Sequence, residues 1–230
     1  MLVDAGISAR QAALRLQQYG RDIRNVKLVL LSHEHADHVR CAGVFQRKFR
    51  LPVALTPGTH RAGWRYLESL EEVEHFSPGD TIEVGPLCVH SIPTEHDAVE
   101  GCAFVFEAEG RRLGLFTDLG HVFPRLRRWM AEVDAAFLES NFDPELLQIS
   151  SYPPDLKRRI QGPSGHISND EAAALVAEVG CERLQWLMLA HLSQENNTPE
   201  RALTTHRQTY GHHLPLYVAS RTHASELLFL

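Results

Sequence analysis

The segment Ser32-His33-Glu34-His35-Ala36-Asp37-His38 places three imidazoles and two carboxylates within six residues, directly behind the apolar run Lys27–Leu31. An apolar run of that length, bounded by polar residues, reads as a buried strand, so the chain must fold with a histidine-rich loop at a strand's mouth. Imidazoles at i and i+2 can be aimed at one ion. Asp37 and His38, displaced to the next turn, can serve a second ion close by, as two-metal hydrolytic sites with ions about 3.5–4 Å apart require. The ordinary alternative is a solvated polar loop with incidental histidines. A lone histidine would favour that alternative; three, with an aspartate, behind a buried strand do not.

The flanking pattern supplies the architecture. Met1–Ala5 reads as a strand, and Ser8 with Gln11 three residues on opens a helix that ends at Gly20. Strand Val26–Leu31, a helix over Val39–Phe49, strand Val53–Leu55 and a helix after Pro57 follow. From Val73 to Phe116 the spacing predicts an antiparallel meander, Val73–Phe76, Thr81–Val84, Leu87–Ile92, Ala103–Ala108 and Leu113–Phe116, with Pro-Gly-Asp, Gly-Pro and Glu-Gly-Arg turns between them. Alternation then returns: helix Arg125–Ala131, strand Ala135–Leu138, helices Asp155–Ile160 and Glu171–Val179, strand Leu184–Ala190, helix Glu200–Tyr210 and strand Leu216–Val218. This pattern predicts an α/β fold with two mixed sheets face to face and helices outside. With no internal repeat and no Pro/Gly/Ser-rich linker, a single domain over residues 1–230 is expected.

Composition bears on the argument at three points. The 14 histidines of the 230 residues are an unusual number, and histidine is the commonest metal ligand. With 23 basic against 29 acidic residues, net −6, no bulk basic surface exists, so any nucleic-acid role has to be local. Cys41, Cys88, Cys102 and Cys181 show no CxxC spacing and fit buried, inert thiols. No apolar stretch approaches the roughly 20 residues of a membrane span, and Met1-Leu2-Val3-Asp4 lacks the shape of a signal peptide, so a cytoplasmic location is expected.

The HxHxDH segment behind a strand resembles the signature of the metallo-β-lactamase-fold hydrolases, and further motifs of that family occur in order. His96 follows the strand Leu87–Ile92, Asp118 follows Leu113–Phe116, and His191 follows Leu184–Ala190. The resemblance implies a four-layer αβ/βα sandwich in which His33, His35 and His96 hold one metal, Asp37, His38 and His191 the other, and Asp118 bridges. Asp4 in Leu2-Val3-Asp4-Ala5-Gly6 matches the family's outer carboxylate, which orients the HxHxDH loop. An aspartate at 118, where many true lactamases of the fold carry cysteine, argues against lactam hydrolysis. Gly165-His166-Ile167-Ser168-Asn169 and His191–Asn197 look like the phosphodiesterase branch. With Glu139-Ser140-Asn141, Tyr152-Pro153 and Leu156–Ile160, the chain is similar to the YycJ/WalJ-like nucleases over nearly its whole length. Two departures stand out. Family members begin with two strands and a Gly/Ser-rich turn ahead of the Leu2–Gly6 strand, so a missing sheet edge or a truncated N-terminus is expected, and Phe142 stands where the family tends to place histidine.

The resemblance implies metal-dependent phosphodiester hydrolysis on DNA rather than RNA, exonucleolytic in character, with a hydroxide between two divalent ions (Zn, Mn or Fe) as nucleophile. Asp37 is expected to orient or deprotonate that water, and His166 to contact phosphate and protonate the leaving oxygen. Lys157, Arg158 and Arg159 are candidates to clamp backbone phosphates, with a solvated helix face as the alternative; Ser168, Asn196 and Asn197 are candidate substrate contacts. Trp64, Trp129 and Trp186 read as core or interface residues rather than base-stacking platforms, and His121 as a pocket-lining residue at most. Rival readings are a glyoxalase II-like thioesterase, a mononuclear iron dioxygenase and a module that has lost its chemistry. Oligomeric state is not legible.

Overall fold

The computed structural model describes residues 1–67 and 69–230. Its first sheet has four short parallel strands in sequence order, β1 (Leu2–Val3), β2 (Val29–Leu30), β3 (Val53–Leu55) and β4 (Val73–His75). Parallel neighbours need crossovers. These are α1 (Ala9–Gln18), then α2 (Ala36–Val39) with α3 (Ala42–Phe49), then α4 (Pro57–Ala62) with α5 (Trp64–Leu67). The side chain of Ser8 accepts the Gln11 amide to start α1, and Thr56 accepts the Thr59 amide, ahead of Pro57, to start α4.

The second sheet begins with an antiparallel meander, β5 (Thr81–Val84), β6 (Leu87–Pro93), β7 (Cys102–Ala108) and β8 (Arg111–Phe116). It continues in parallel through β9 (Ala135–Glu139), β10 (Trp186–Ala190) and β11 (Leu216–Val218), giving the order β11-β10-β9-β8-β7-β6-β5. Helix α6 (Pro124–Glu132) joins β8 to β9. Helices α7 (Pro144–Ile149), α8 (Pro154–Gln161) and α9 (Asn169–Val179) lie between β9 and β10, and α10 (Pro199–Tyr210) leads to β11.

Alternation along β2 shows why the run is apolar throughout. Val29 and Leu31 pack with Ala9, Ala12 and Phe45 of the covering helices, while Leu28 and Leu30 turn the other way onto Ala54, Val89 and Phe104 between the sheets. On the far side, Ala136, Leu138, Leu187 and Leu189 pack under Leu126 and Met130 of α6, Leu175 and Val176 of α9 and Ala202 of α10. Each such leucine or phenylalanine contributes about 1.5–3 kcal/mol by leaving water. Helices, sheet, sheet and helices thus form the expected four-layer α/β sandwich.

Four expectations are corrected. The first sheet, expected to be mixed, is parallel throughout, because helical crossovers join each of its strands to the next. Val73–His75 does not open the meander: the α4–α5 crossover returns it to the first sheet, parallel to β3. The helix expected over Val39–Phe49 is two helices broken at Arg40-Cys41, the first starting inside the histidine motif at Ala36. Helix α7, capped by Asp143 with Pro144 in its first turn, was not expected. Among the described residues no helix is long and apolar enough to cross a membrane.

Candidate metal centre

Two antiparallel steps restore direction, so β6 and β8 run with β9 and β10, and their C-terminal ends share one edge of the second sheet. His96 follows β6, Asp118 follows β8, Glu139 closes β9 and His191 follows β10. The first sheet brings Asp4 at the end of β1 and His33, His35, Asp37 and His38 behind β2. Asp4, Asp118 and His191 take left-handed backbone conformations, with φ of 59°, 57° and 56°. Such conformations cost about 1–2 kcal/mol for a residue other than glycine.

Ligand-type atoms of His33, His35 and His96 lie within 4.8 Å of one another, as do those of Asp37, His38 and His191, and those of His33, His38 and Asp118. Asp118 stands between the two triads. Its Oδ1 is 3.7 Å from His96 Nε2 and 3.5 Å from His191 Nε2, and its Oδ2 is 3.6 Å from His38 Nε2. His33, His38, His96 and Asp118 are buried, His35 and His191 half-buried, and Asp37 exposed.

A second tier holds this ring. Asp4 accepts the Ser32 amide at 2.8 Å and the Ser32 hydroxyl at 3.0 Å, and its Oδ2 meets His38 Nδ1 at 2.7 Å. The Gly165 carbonyl takes His96 Nδ1 at 2.8 Å. Glu139, with no exposed surface, meets His166 Nδ1 at 2.7 Å and His191 Nδ1 at 3.1 Å through Oε1, and accepts the Leu119 amide at 3.1 Å through Oε2. Carboxylate and carbonyl oxygens only accept, so each of these imidazoles is assigned a proton on Nδ1, and the ligand candidates His38, His96 and His191 turn Nε2 to the ring as the nitrogen whose lone pair can hold an ion. Glu139 is named from sequence only within the Glu139-Ser140-Asn141 motif and with no role, although a carboxylate closing an apolar strand is a readable signal.

The electrostatics of the ring follow from crowding. Burial, reinforced by His38, His35 and His96, pushes His33 far below the ordinary imidazole range. Burial would also lower His38, but Asp4, Asp118 and Asp37 carry it up to about 10; His191 is likewise lifted against burial, by Asp118 and Glu139, to about 9. Burial would raise Glu139, yet its bonds to His166 and His191 hold it well below the usual carboxylate range. Four carboxylates at the strand ends therefore draw positive charge into the ring.

The candidate substrate residues are placed less uniformly. Lys157 Nζ is turned onto the Gln148 and Ser150 carbonyls at 2.6 and 2.7 Å, and Arg158 pairs with Asp155 on its own helix. Only Arg159 of that run is held at the ring: its Nε donates to Asp97 Oδ2 at 2.6 Å, and Asp97 Oδ1 is 3.3 Å from His96 Nε2. Ser168 caps α9 through the Glu171 amide, and Asn197 Nδ2 ties the Ser140 and Asn141 carbonyls to Asn169. Asn196 Nδ2 donates to Ser193. These polar groups position the loops. His166 lies 3.9 Å from Asp118 Oδ1, within the ring's second tier, whereas His121 Nδ1 donates to the Pro163 carbonyl on the rim and Phe142 is buried. Trp186 is buried, but Trp64 is 56% exposed, so of the two places expected of it the core is the one it does not take.

A sequence profile described as Beta-lactamase superfamily domain matches residues 1–191, and the chain belongs to the metallo-β-lactamase superfamily. It is 36% identical over 208 residues to Exodeoxyribonuclease YycJ of Bacillus anthracis, covering 88% of this chain and 77% of that protein. It is 32% identical over 209 residues to Exodeoxyribonuclease WalJ of Streptococcus pneumoniae, covering 89% and 78%. These relatives place it in the YycJ/WalJ-like branch. The crystal structure of Zn(2+)-bound PqqB from Methylobacterium extorquens has the same fold, with a TM-score of 0.72 over 99% of this chain and 82% of that one at 17% identity.

Proposed function

We propose that the chain is a dinuclear metal-dependent nuclease that hydrolyses phosphodiester bonds in DNA and releases nucleotides from an end, and that one domain spanning residues 1–230 builds its site. The observation that carries this reading is Asp118, whose two oxygens reach the two histidine triads at once. The names of the two relatives, both exodeoxyribonucleases, support the substrate class.

The donor set fits divalent cations. His33 Nε2 and Asp118 Oδ2 are buried without a hydrogen-bond partner among the described residues, each at a cost of about 1–3 kcal/mol that coordination would remove. A shell of imidazole and carboxylate suits Zn, Mn or Fe, and the zinc of PqqB supports the first. His33, His35 and His96 would hold one ion, Asp37, His38 and His191 the other, and Asp118 both. Bound there, the ions supply Lewis-acid charge and bring the pKa of a coordinated water toward 7.

The chain's own groups do the rest. Asp4, Glu139 and the Gly165 carbonyl fix the ring tautomers before substrate arrives. Asp37, exposed beside His38, orients the attacking water and takes its proton. His166, its Nδ1 held by Glu139, delivers a proton from Nε2 to the leaving oxygen. Arg159, tethered through Nε, keeps its terminal nitrogens for a substrate phosphate. The test is one preparation measured twice, for metal per chain and for cleavage of end-labelled DNA and RNA, single- and double-stranded, beside Asp37→Ala. Two metals with Asp37-dependent release of nucleotides from DNA ends is expected. Two metals without nucleic-acid cleavage would overturn the reading in favour of a thioesterase or another small-ester hydrolase.

A further inference from the structure

Charge is distributed unevenly along this acidic chain. Residues 39–67 contain Arg40, Arg47, Lys48, Arg50, Arg61 and Arg65 and not one Asp or Glu. All six cations are exposed. Among the described residues just over half of the arginines elsewhere pair with carboxylates, as in Arg112–Glu107, Arg127–Glu178 and Arg183–Asp134. Among the described residues no carboxylate pairs with any of these six.

The segment runs from the last residue of α2 through α3, α4 and α5, which cover the outside of the first sheet, with exposed Asp37 just ahead of it on α2. Helix α5 packs against α2, which carries Asp37 and His38, and against α3. One side-chain bond fixes the surface to the loop that carries His96: Glu100 accepts the Gly58 amide at 2.7 Å; that loop is joined in turn to the HxHxDH loop, where Glu34 accepts the Val99 amide at 2.9 Å. On this cationic face stand two aromatic side chains that the core does not use, Trp64 at 56% and Tyr66 at 41% exposure, with the Arg65 guanidinium 5.8 Å from the Trp64 ring centroid.

We propose that the outer face of α2–α5 is a docking surface for single-stranded DNA on its way to the metal ring, with Arg40, Arg61 and Arg65 facing phosphates and Trp64 and Tyr66 stacking on bases. The proposal rests on the nuclease reading above. A chain of net charge −6 repels a polyanion except through a local strip of unpaired cations, and this is such a strip. Exposed aromatic rings need unstacked bases, which a single strand offers and a duplex hides. Stacking is also tolerant of sequence, as suits an enzyme that meets every nucleotide in turn.

The test is fluorescence titration of the full, metal-loaded chain with a hydrolysis-resistant phosphorothioate oligo(dT) of about 16 nucleotides. Tryptophan fluorescence should be quenched. Trp64→Ala should abolish most of the quench and raise Kd about tenfold, within the range for one stacked base, while Trp64→Phe keeps affinity near the parent's without the signal. Arg61→Gln and Arg65→Gln should each reduce the slope of log affinity against log salt by about 0.7. Unchanged affinity and slope in all four variants would overturn the proposal, as would quenching by phosphatidylglycerol vesicles and not by oligo(dT). Hydrolysis of bis(p-nitrophenyl) phosphate by the unaltered chain reports on the metal ring alone. Its absence would defeat the phosphodiesterase reading and leave the titration to decide the surface.

Discussion

Replacing Asp4 by asparagine isolates the charge that supports one half of the ring. Asparagine tolerates the left-handed backbone at this position, φ 59°, so no new strain enters. The carboxylate serves three donors: the Ser32 amide at 2.8 Å, the Ser32 hydroxyl at 3.0 Å and His38 Nδ1 at 2.7 Å. An amide offers one oxygen and one NH2. With the oxygen on Ser32, the NH2 meets the His38 N–H; turned over, it meets the Ser32 amide. Relief requires His38 to shift its proton to Nε2, the nitrogen that lies 3.6 Å from Asp118 and from Asp37, and the lone pair facing the ring is lost. Losing one charge-assisted bond costs about 1.5–3 kcal/mol, which matches the roughly 10–100-fold loss of metal affinity seen when an outer partner is removed. His96 is anchored instead by the Gly165 carbonyl, and His33 reaches Asp4 only through the Ser32 hydroxyl, which lies 2.9 Å from its Nδ1 and stays bonded when the asparagine oxygen faces Ser32, so the triad of His33, His35 and His96 is the internal control. Metal per chain, measured after dialysis against graded chelator, should show one ion leaving at chelator concentrations about 10–100-fold lower and the other unmoved. If both ions leave together, or neither moves, the assignment of Asp4 to His38 and of His38 to a separate ion is wrong.

Glu139→Gln should lower kcat by about 10²–10³ with little change in KM, because it unsettles the tautomers of His166 and His191 without touching substrate; steady-state kinetics on DNA would show otherwise by a rise in KM alone. His166→Ala should cost about 10²–10⁴ in rate on DNA, yet no more than about tenfold on bis(p-nitrophenyl) phosphate, whose leaving group needs no proton; equal losses on both substrates would remove His166 as the acid. His206 is fully buried between Ser140 and Tyr210, and burial lowers its pKa from 6.5 to about 4. Between those values the unfolded chain binds the proton and the folded chain does not, so stability present above pH 6.5 is lost as pH falls toward 4, by about 3 kcal/mol. Urea unfolding at pH 7 and pH 4 should show that extra decline in the parent and not in His206→Gln; parallel declines would refute it.

The ring was legible because its ligands are of diagnostic type and sit at strand ends, where an apolar run stops and a His or Asp follows. The four layers were legible from two-sided burial in runs such as Leu28–Leu31 and Leu187–Ala190. What stayed hidden depends on distances the sequence does not encode. Val73–His75 is a strand in either sheet; only the α4–α5 crossover sends it back beside β3. Glu139 acts on His166 and His191, 27 and 52 positions away, and its place at the end of an apolar strand does not say which side chains it meets. Lys157 reads as a phosphate clamp until its ammonium is seen on the carbonyls that end α7. Trp64 reads as core because tryptophan usually is, and only exposure shows otherwise.

The left-handed residues explain how a ring assembled from the ends of separate strands can be rigid. A glycine at Asp4, Asp118 or His191 would relieve the backbone, but it would bring no carboxylate or imidazole. The chain instead keeps the strained residue where a functional side chain is needed and places glycine beside it: at Gly120, φ 77°, a Cβ would fall 2.6 Å from the Glu95 carbonyl oxygen and 2.7 Å from that of Pro163. Strain of this kind persists only if neighbouring bonds over-determine the turn. Here they do. Glu139 accepts the Leu119 amide directly after Asp118, and Asn141 Nδ2 donates to the His191 carbonyl at 2.7 Å. Glu139 thus fixes two imidazoles through one oxygen and the Asp118 turn through the other. The carboxylate that is buried most completely is the one that ties β8, β9 and β10 into a single ligand frame.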